Sequence, residues 1–251
     1  MTDLAGQLFG NYRLVHLLGQ GGFADVYLAE HIHLNSRVAI KVLQIRLVGS
    51  TLEQFRNEGR SIASLVHPNI VRVFDFGIEN GIPFLVMDYA PHGTLRQRHP
   101  KGTALSLASI LPYVKQVALA LHYAHSNKLI HRDIKPENML LGARGEVLLS
   151  DFGLVLPAQS TGSQTAKEMA GTLPYMAPEQ INGKPRPASD QYALGIVIYE
   201  WLSGKRPFEG SFVEIATQHM MTPPAPLYGQ IAGVSLAAQE VLFTALAKDP
   251  Q

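Results

Sequence analysis

The sequence predicts an α+β protein built from two lobes, because strand-like segments come first and helix-like segments follow. Up to about residue 90, β-branched and aromatic residues form short runs bounded by Gly, Asn and Ser, which is typical of strands. Beyond that point, long segments carry apolar residues at helical spacing. The chain has 251 residues, 46% of them hydrophobic, so it can bury one large core or two modest ones.

Strands and one helix account for the first predicted domain, residues 1–90. Five strands are predicted, at 12–19, 26–32, 37–43, 70–77 and 82–89. Three of them follow one another directly, which favours an antiparallel sheet. A helix is predicted over 51–65, where apolar residues recur at helical spacing before the stop signal HPN. The segment FDFG at 74–77 is interpreted as a strand end followed by a turn.

Helices dominate the second predicted domain, residues 91–251. The main ones are expected at 107–126, 187–204 and 236–247. Between the first two, the short apolar runs MLL and VLLS predict a small β-hairpin. The polar stretch 157–169 is rich in small residues and is predicted to be a loop.

Composition and charge exclude several classes of protein. The 21 Lys and Arg residues nearly balance the 20 Asp and Glu residues, and no five like charges stand in a row. Neither nucleic-acid binding nor direct membrane contact from this segment is therefore predicted. The chain has no Cys, which excludes a disulfide scaffold. The N-terminus has no basic start and no long apolar run, so no secretory signal is predicted and a cytoplasmic location is expected.

A glycine-rich segment, GQGGFADV at 19–26, is the first candidate binding element. Gly19, Gly21 and Gly22 carry no Cβ, so their backbone N–H groups can approach a phosphate closely. A dinucleotide-binding turn would need a helix directly after the glycines, whereas a strand is predicted there, which argues against that alternative. A tight hairpin without a ligand stays open as an alternative.

A charged residue interrupts an otherwise apolar strand at Lys41, in VAIK. Glu58 on the predicted helix is its natural partner, because an ion pair at ~4 Å has about 4 kcal/mol of Coulomb attraction at an effective dielectric of about 20, before desolvation. The alternative is an edge-strand lysine that reaches water.

Two further motifs concentrate functional groups in short loops. HRDIKPEN at 131–138 contains His131, Arg132, Asp133, Lys135 and Asn138, and DFG at 151–153 begins with Asp151. The side chains of Asn138 and Asp151 offer hard oxygen ligands of the kind Mg²⁺ prefers. Generic turns would be the simpler interpretation of either motif alone.

Together with APE at 177–179, these motifs stand in an order that resembles a eukaryotic-type Ser/Thr protein kinase domain, of the sort also found in bacteria. The resemblance covers about residues 12 to 250. It implies a bilobal protein-kinase-like fold, with a five-stranded antiparallel sheet and one helix in the N-lobe, a mainly helical C-lobe, and ATP between them.

The resemblance also implies a role for each site residue. Asp133 would accept the proton of the substrate hydroxyl, and Lys135 would neutralise charge on the transferred phosphoryl group. Lys41, oriented by Glu58, would contact the α- and β-phosphates. The other implied ligands are Gly19, Gln20, Gly21, Gly22, Phe23 and Ala24 over the ATP phosphates, Val26, Ala39 and Leu140 against adenine, Met87 as gatekeeper, the backbones of Asp88 and Ala90 at the hinge, and Asn138 and Asp151 for Mg²⁺. A regulatory spine is implied at Ile62, Val73, His131 and Phe152, anchored by Asp190.

Further expectations concern the substrate and regulation. Lys135 and Thr172 are features that the family associates with Ser/Thr specificity, so protein substrates with serine or threonine are expected. Arg132 implies activation by phosphorylation of the loop, at one of Ser160, Thr161, Ser163 and Thr165, with Thr165 favoured and Ser163 next. Dimerisation for autophosphorylation is also expected. The alternatives are an ATP-binding pseudokinase that transfers nothing and a small-molecule kinase of similar fold.

The sequence departs from the family pattern at two places. Ala24 stands where a third glycine is usual, and ATP binding is expected to survive this change. The sequence stops before the arginine that normally pairs with Glu179, which predicts a buried carboxylate without its partner, a fragment of a longer protein and a less stable C-lobe. By analogy with bacterial relatives, a membrane anchor is expected in the missing C-terminal part. Metal binding by the pair His122 and His125 is not favoured over surface or helix-packing roles.

Overall fold

The computed structural model describes residues 3–22, 24–44, 50–152 and 171–250, and for part of the first helix it describes the backbone alone. The described residues form two compact units. The first unit ends at Pro91 and the second begins at His92.

A six-stranded antiparallel sheet with one helix forms the first unit. Its strands are β1 (Leu8–Phe9), β2 (Tyr12–Gln20), β3 (Ala24–His31), β4 (Arg37–Leu43), β5 (Val73–Glu79) and β6 (Ile82–Met87), and its helix is α1 (Ser50–Ala63). The strands lie in the order β1-β2-β3-β4-β6-β5. The five predicted strands are present, and β1 is an additional edge strand that pairs with the start of β2. Two residues are too few to show the alternation from which strands are predicted.

One face of this sheet forms the core of the first unit. The buried residues on it are Phe9, Leu14, Tyr27, Ala29, Val38, Ile40, Val42, Phe84 and Val86. The ring of Phe84 packs so close to β5 that a Cβ on Gly77 would lie 2.6 Å from it, so a larger residue at this position would force the ring to move. Gly77 lies inside β5, and the interpretation of FDFG as a strand end and turn was therefore wrong.

The second unit consists mainly of helices. They are α2 (Leu95–Arg98), α3 (Leu107–Ser126), α4 (Pro178–Ile181), α5 (Pro187–Ser203), α6 (Phe212–Met221) and α7 (Leu236–Ala245). The predicted hairpin is present as β7 (Met139–Leu141) and β8 (Val147–Leu149). Short 3₁₀ turns at Pro136–Asn138 and Leu173–Tyr175 complete the described elements.

Helix α5 is the centre of the second unit, because it is buried along almost its whole length. Helices α3 and α7 pack against it. At Gly195 an added Cβ would lie 3.0 Å from the side chain of Leu246, so the small residue allows α7 and its C-terminal end to approach closely. The helix ends at Gly204, whose φ of 76° is readily adopted by glycine. Within the described ranges, we find no helix with the length and apolar character needed to cross a bilayer.

Candidate active site

The hairpin β7–β8 brings the two predicted magnesium ligands to one end of a small sheet. Met139 pairs with Leu149, and Asn138 and Asp151 flank these strands. The backbone N–H of Ser150 donates a hydrogen bond of 2.9 Å to the carbonyl of Asn138, which closes the end of the hairpin. The C-terminal end of the loop 131–138 is therefore fixed beside the start of the DFG motif.

The carboxylate of Asp133 is held by three hydrogen-bond donors. Oδ2 accepts from Nδ2 of Asn138 at 2.8 Å and from Nζ of Lys135 at 2.8 Å. Oδ1 accepts from the hydroxyl of Thr172 at 2.9 Å. The Asp133 side chain is still 31% exposed, so a ligand can reach it. Three side chains, two from the loop 131–138 and one from Thr172, thus converge on one partly exposed carboxylate.

The hydroxyl of Thr172 has two roles in this cluster. It donates to Asp133 and accepts from Nζ of Lys135 at 3.1 Å. Lys135 therefore contacts both the carboxylate and the hydroxyl. The ammonium group provides positive charge beside the carboxylate, which is the arrangement needed to orient a hydroxyl and to stabilise negative charge that develops near it.

Asp190, at the start of α5, fixes the backbone at the beginning of the loop 131–138. Its Oδ2 accepts from the backbone N–H of His131 and its Oδ1 from that of Arg132, both at 2.8 Å. The ring of His125 lies 2.7 Å from Oδ2. Asp190 is 1% exposed, and these donors compensate for the burial of its charge. Sequence reasoning considered His125 only for surface, helix-packing or metal-binding roles and missed this contact.

The ring of His131 is fixed in one tautomer. Its Nδ1 accepts from the backbone N–H of Asp133 at 3.2 Å, so Nε2 carries the proton and donates to the carbonyl of Ser150 at 2.7 Å. The ring also stacks on Phe152, with 4.6 Å between centroids. Through these contacts His131 joins the loop 131–138 to the segment that carries Asp151.

Arg132 has a left-handed backbone, with φ at 68°, and both of its peptide groups are held. Asp190 accepts from its N–H, and Nε2 of Gln180 donates to its carbonyl at 2.6 Å. Arg132 itself is exposed. Gln180 follows the APE motif directly, and sequence reasoning gave no signal for its contact with the loop.

The structure corrects the expectation for Glu179. Its side chain is only partly buried, and its carboxylate accepts a hydrogen bond from the hydroxyl of Ser189. Ser189 lies in the first turn of α5 and is fully buried. The prediction of a buried carboxylate was therefore wrong, because Glu179 is partly exposed and has a hydrogen bond from Ser189, whereas the predicted lower stability of the C-lobe stays a prediction.

In the first unit, the residues predicted to hold ATP share the sheet face opposite the core. Val26 and Leu85 lie directly across from Lys41, and Met87 lies across from Ala39. Residues directly opposite each other in an antiparallel pair share a face, and so do residues two apart on one strand. Val26, Ala39, Lys41 and Met87 thus line one surface. Met87 is followed by Asp88, whose Oδ2 accepts from the backbone N–H of Arg72 at 3.0 Å.

The glycine segment forms a tight hairpin turn between β2 and β3. Gly19 pairs with Val26, and the N–H of Gly21 donates to the carbonyl of Ala24 at 2.8 Å. A Cβ on Gly21 would lie 3.1 Å from that carbonyl oxygen. The strand β3 begins at Ala24, which rules out the helix that a dinucleotide-binding turn requires.

Several predicted positions cannot be placed. Phe23, the side chain of Glu58 and the proposed phosphorylation sites Ser160, Thr161, Ser163 and Thr165 lie outside the described residues. The ion pair between Lys41 and Glu58 and the choice among the loop hydroxyls therefore stay predictions.

Comparison with known proteins gives one consistent result. Residues 12–251 match a family described as protein kinase domain. Serine/threonine-protein kinase PrkC of Bacillus subtilis (strain 168) is 37% identical over 250 residues, which cover 97% of this chain and 38% of the relative. Serine/threonine-protein kinase Pkn1 of Myxococcus xanthus is 37% identical over 258 residues, covering 99% of this chain and 37% of the relative. For PknB of Mycobacterium tuberculosis (strain ATCC 25618 / H37Rv) the identity is 37% over 255 residues, with 97% and 41% covered. The chain thus spans roughly two-fifths of the length of these relatives.

Proposed function

This chain belongs to the protein kinase domain family, and from that premise we propose that it transfers the γ-phosphoryl group of ATP to serine and threonine hydroxyls of proteins. The relatives named above are serine/threonine-protein kinases, which supports this choice of acceptor. The observation that carries the proposal is the carboxylate of Asp133, which Lys135, Asn138 and Thr172 hold in one orientation while leaving it partly exposed.

Asp133 is proposed to orient the acceptor hydroxyl and to accept its proton. The hydroxyl of Thr172 shows that an alcohol can donate to Oδ1 of this carboxylate within 2.9 Å. Lys135 would neutralise the negative charge of the transferred phosphoryl group, because its ammonium group is already within 2.8 Å of Asp133. Phosphoryl transfer needs little covalent chemistry from the protein, so such positioning and charge compensation account for most of its role.

The donor atoms of Asn138 and Asp151 fit Mg²⁺. Nδ2 of Asn138 donates to the carbonyl and the carboxylate of Asp133, which directs the hard carbonyl oxygen Oδ1 of the side chain to act as a ligand. Asp151 contributes a carboxylate from an exposed side chain at the end of the same hairpin. When bound, magnesium ions supply positive charge to the phosphates. Asn138 and Asp151 are proposed to hold them at the end of β7–β8.

ATP is proposed to bind against the sheet face that carries Lys41. The proposed contacts are Lys41 for the α- and β-phosphates with Glu58 as its partner, Gly19, Gln20, Gly21, Gly22, Phe23 and Ala24 over the phosphates, Val26, Ala39, Met87 and Leu140 against the base, and the backbones of Asp88 and Ala90 at the hinge. The shared face of Val26, Ala39, Lys41 and Met87 supports this assignment.

Regulation and location are part of the same proposal. The exposed side chain of Arg132 would pair with a phosphorylated residue of the loop, with Thr165 proposed first and Ser163 second. Phosphorylation of one copy by another, through dimerisation, would supply that phosphate. We place the activity in the cytoplasm, where ATP is available, and an anchor elsewhere in a longer protein would be compatible with this location.

The test is transfer of labelled phosphate from γ-labelled ATP and Mg²⁺ to a generic basic protein. The protein is expected to transfer phosphate to serine and threonine, and Asp133→Asn is expected to reduce kcat by about 10² to 10⁴-fold while nucleotide binding persists. Asp75→Asn, which changes an exposed carboxylate on β5, serves as the matched control and is expected to keep full activity.

Three results would contradict the proposal. Nucleotide binding without any transfer would favour a pseudokinase. Transfer to a small molecule but not to the protein acceptor would favour a small-molecule kinase. Phospho-amino-acid analysis that finds only phosphotyrosine would contradict the assigned acceptor.

A further inference from the structure

A buried guanidinium group joins three elements of the second unit. Arg96 of α2 makes a fork to Glu200 of α5, with Nη1–Oε1 at 2.8 Å and Nη2–Oε2 at 3.1 Å. Its Nε donates to Oε1 of Glu137 at 2.9 Å, and its Nη2 donates to the hydroxyl of Tyr175 at 2.5 Å. The hydroxyl of Tyr175 in turn donates to Oε2 of Glu200 at 2.6 Å. Every partner of Arg96 in this cluster is therefore polar and hydrogen-bonded to it.

Burial makes this cluster energetically important. The side chains of Arg96 and Glu200 are 14% and 5% exposed, whereas that of Glu137 is 39% exposed. Burial alone would lower the pKa of Arg96, but the hydrogen bond to Glu200, together with the electrostatic effects of Tyr175, Glu137 and Glu200, outweighs it, so the pKa is raised. Burial, followed by the charge of Glu200, raises the pKa of Tyr175. Arg96 thus stays a cation and Tyr175 stays a neutral donor at any physiological pH.

Two partners of Arg96, Glu137 and Tyr175, lie close in sequence to the side chains that hold the carboxylate of Asp133. Glu137 belongs to the 3₁₀ turn Pro136–Asn138, and its neighbour Asn138 donates to Oδ2 of Asp133. Tyr175 belongs to the 3₁₀ turn Leu173–Tyr175, which starts directly after Thr172, the donor to Oδ1. Each oxygen of Asp133 thus has one donor that lies in, or directly before, a turn tied to Arg96: Asn138 for Oδ2 and Thr172 for Oδ1.

Backbone contacts attach the start of helix α2 to strand β7 of the hairpin β7–β8. Thr94 caps α2, with its hydroxyl accepting from the backbone N–H of Gln97. Thr94 also forms a β-bridge with Leu140, and the N–H of Leu141 donates to the carbonyl of Gly93 at 2.8 Å. A guanidinium on this short helix is thus held at a fixed distance from β7. The planar guanidinium group can donate two parallel hydrogen bonds to one carboxylate, whereas the ammonium group of lysine cannot form this fork.

We propose that Arg96 is a positioning residue, which sets the turn that carries Asn138 and the turn that follows Thr172 and so fixes the carboxylate of Asp133. The proposal rests on the phosphoryl transfer proposed above. Arg96 acts through Glu137, Glu200 and Tyr175.

The test compares steady-state kinetics of four variants with the unchanged protein. Arg96→Met is expected to lower kcat about 10 to 100-fold, because small displacements of catalytic groups have effects of that size. The KM for ATP is expected to stay within about twofold, since the first-unit contacts are unchanged. Arg96→Lys, which keeps the charge without the fork, should fall between Arg96→Met and the unchanged protein. Tyr175→Phe, which removes a single hydroxyl, should lower kcat by about threefold to tenfold.

The fourth variant tests whether the residues act as a unit. Tyr175→Phe added to Arg96→Met is expected to cause no further loss, because the turn has already lost its attachment. A purely structural role would instead lower melting temperature and give additive losses, without the split between kcat and KM. Arg98→Met is the matched control, because Arg98 lies on the same helix with an exposed side chain and is expected to leave kinetics unchanged.

Loss of folding is controlled separately. Arg96→Met leaves the buried Glu200 unpaired, so the double variant Arg96→Met/Glu200→Gln removes both charges while keeping similar volume. This double variant is expected to fold and still to show the reduced kcat. A folded Arg96→Met or double variant with the kcat of the unchanged protein would overturn the inference. Absence of phosphate transfer by the unchanged protein would instead overturn the proposed function.

Discussion

At the scale of single residues, Thr172 was predicted only as a feature of Ser/Thr specificity, and the structure places its hydroxyl on the carboxylate of Asp133. It bridges Lys135 and Asp133, at 3.1 Å and 2.9 Å. The proposed substrate hydroxyl has the same chemical character and would use the same carboxylate. Thr172 therefore both orients Asp133 and marks a direction from which an alcohol can approach Oδ1.

We predict that Thr172→Val lowers kcat by about 10 to 100-fold, because it keeps the shape of the side chain and removes the hydrogen bond to Asp133. The measurement is the rate of phosphate transfer at saturating ATP, with melting temperature followed in parallel. Thr172→Ser keeps the hydroxyl and serves as the matched control, with a loss of less than about threefold expected. Equal rates for the valine variant and the unchanged protein would show that this hydroxyl does not position the carboxylate.

The carboxylate of Asp190 illustrates how a buried charge can serve the backbone. It accepts from two consecutive N–H groups, those of His131 and Arg132, and so stabilises the left-handed conformation at Arg132. Such a conformation costs roughly 1 kcal/mol or more for a residue other than glycine. The strained residue, Arg132, directly precedes Asp133 and so helps to determine where the Asp133 side chain lies.

At the scale of elements, the end of α3 shows how the sequence determines a helix boundary. Lys128 has a φ of 61°, its N–H donates to the carbonyl of His125, and the N–H of Leu129 donates to that of Ala124. These two hydrogen bonds are the pattern of a Schellman motif, in which the left-handed residue is usually glycine. A lysine at this position carries avoidable backbone strain.

We predict that Lys128→Gly raises the free energy of unfolding by about 0.5 to 1 kcal/mol, because the relief of strain exceeds the added flexibility of the unfolded chain. Urea denaturation measures the change. Lys115→Gly, at an exposed position within the same helix, is the control and is expected to lower stability by about 1 kcal/mol. A loss of stability at both positions would mean that the left-handed conformation at Lys128 is not strained.

Long elements with a regular apolar pattern were predictable and short ones were not. The predicted span of α3 was correct at both ends, because Ser106 accepts from the N–H of Ser109 at its start and the motif described above closes its end. Helices α2 and α4 have four residues each, too few to show a helical period. Helix α6 was missed for another reason: Phe212, Val213 and Met221 are exposed, so its apolar residues do not form one buried stripe.

At the scale of the whole molecule, the site divides into a part encoded locally and a part created by the fold. His131, Asp133 and Asn138 stand within eight residues, so their density alone indicated a functional loop. The pair Arg96 and Glu200 is 104 residues apart in sequence, and no short motif records it. Buried ion pairs of this kind depend on which helices meet, and that information is absent from local periodicity.

The acid stability of the whole molecule should depend on one buried histidine. His219 of α6 is fully buried, its Nδ1 lies 2.9 Å from the hydroxyl of Tyr192, and its ring contacts Phe208. The ammonium group of Lys248 lies 3.1 Å from the same hydroxyl and 4.3 Å from the centroid of the Phe208 ring. Burial, followed by the charge of Lys248, lowers the pKa of His219 from 6.5 to about 4. The unfolded chain therefore binds a proton at a higher pH than the folded protein does.

We predict that His219 makes the folded state progressively less stable as the pH falls from about 6.5 towards 4, whereas its contribution is constant above about 7. A pKa near 4 corresponds to a loss of about 2 kcal/mol between pH 7.5 and pH 5 from this residue. Urea denaturation at the two pH values should show that His219→Asn has a smaller pH-dependent loss by this amount, whatever its absolute stability. Lys248→Met should also reduce the loss, because the pKa of His219 rises when the cation is removed. The control is His16→Gln, at an exposed position on β2, which should leave the pH dependence of stability unchanged. An equal pH dependence of stability in His219→Asn and the unchanged protein would contradict the assignment to His219.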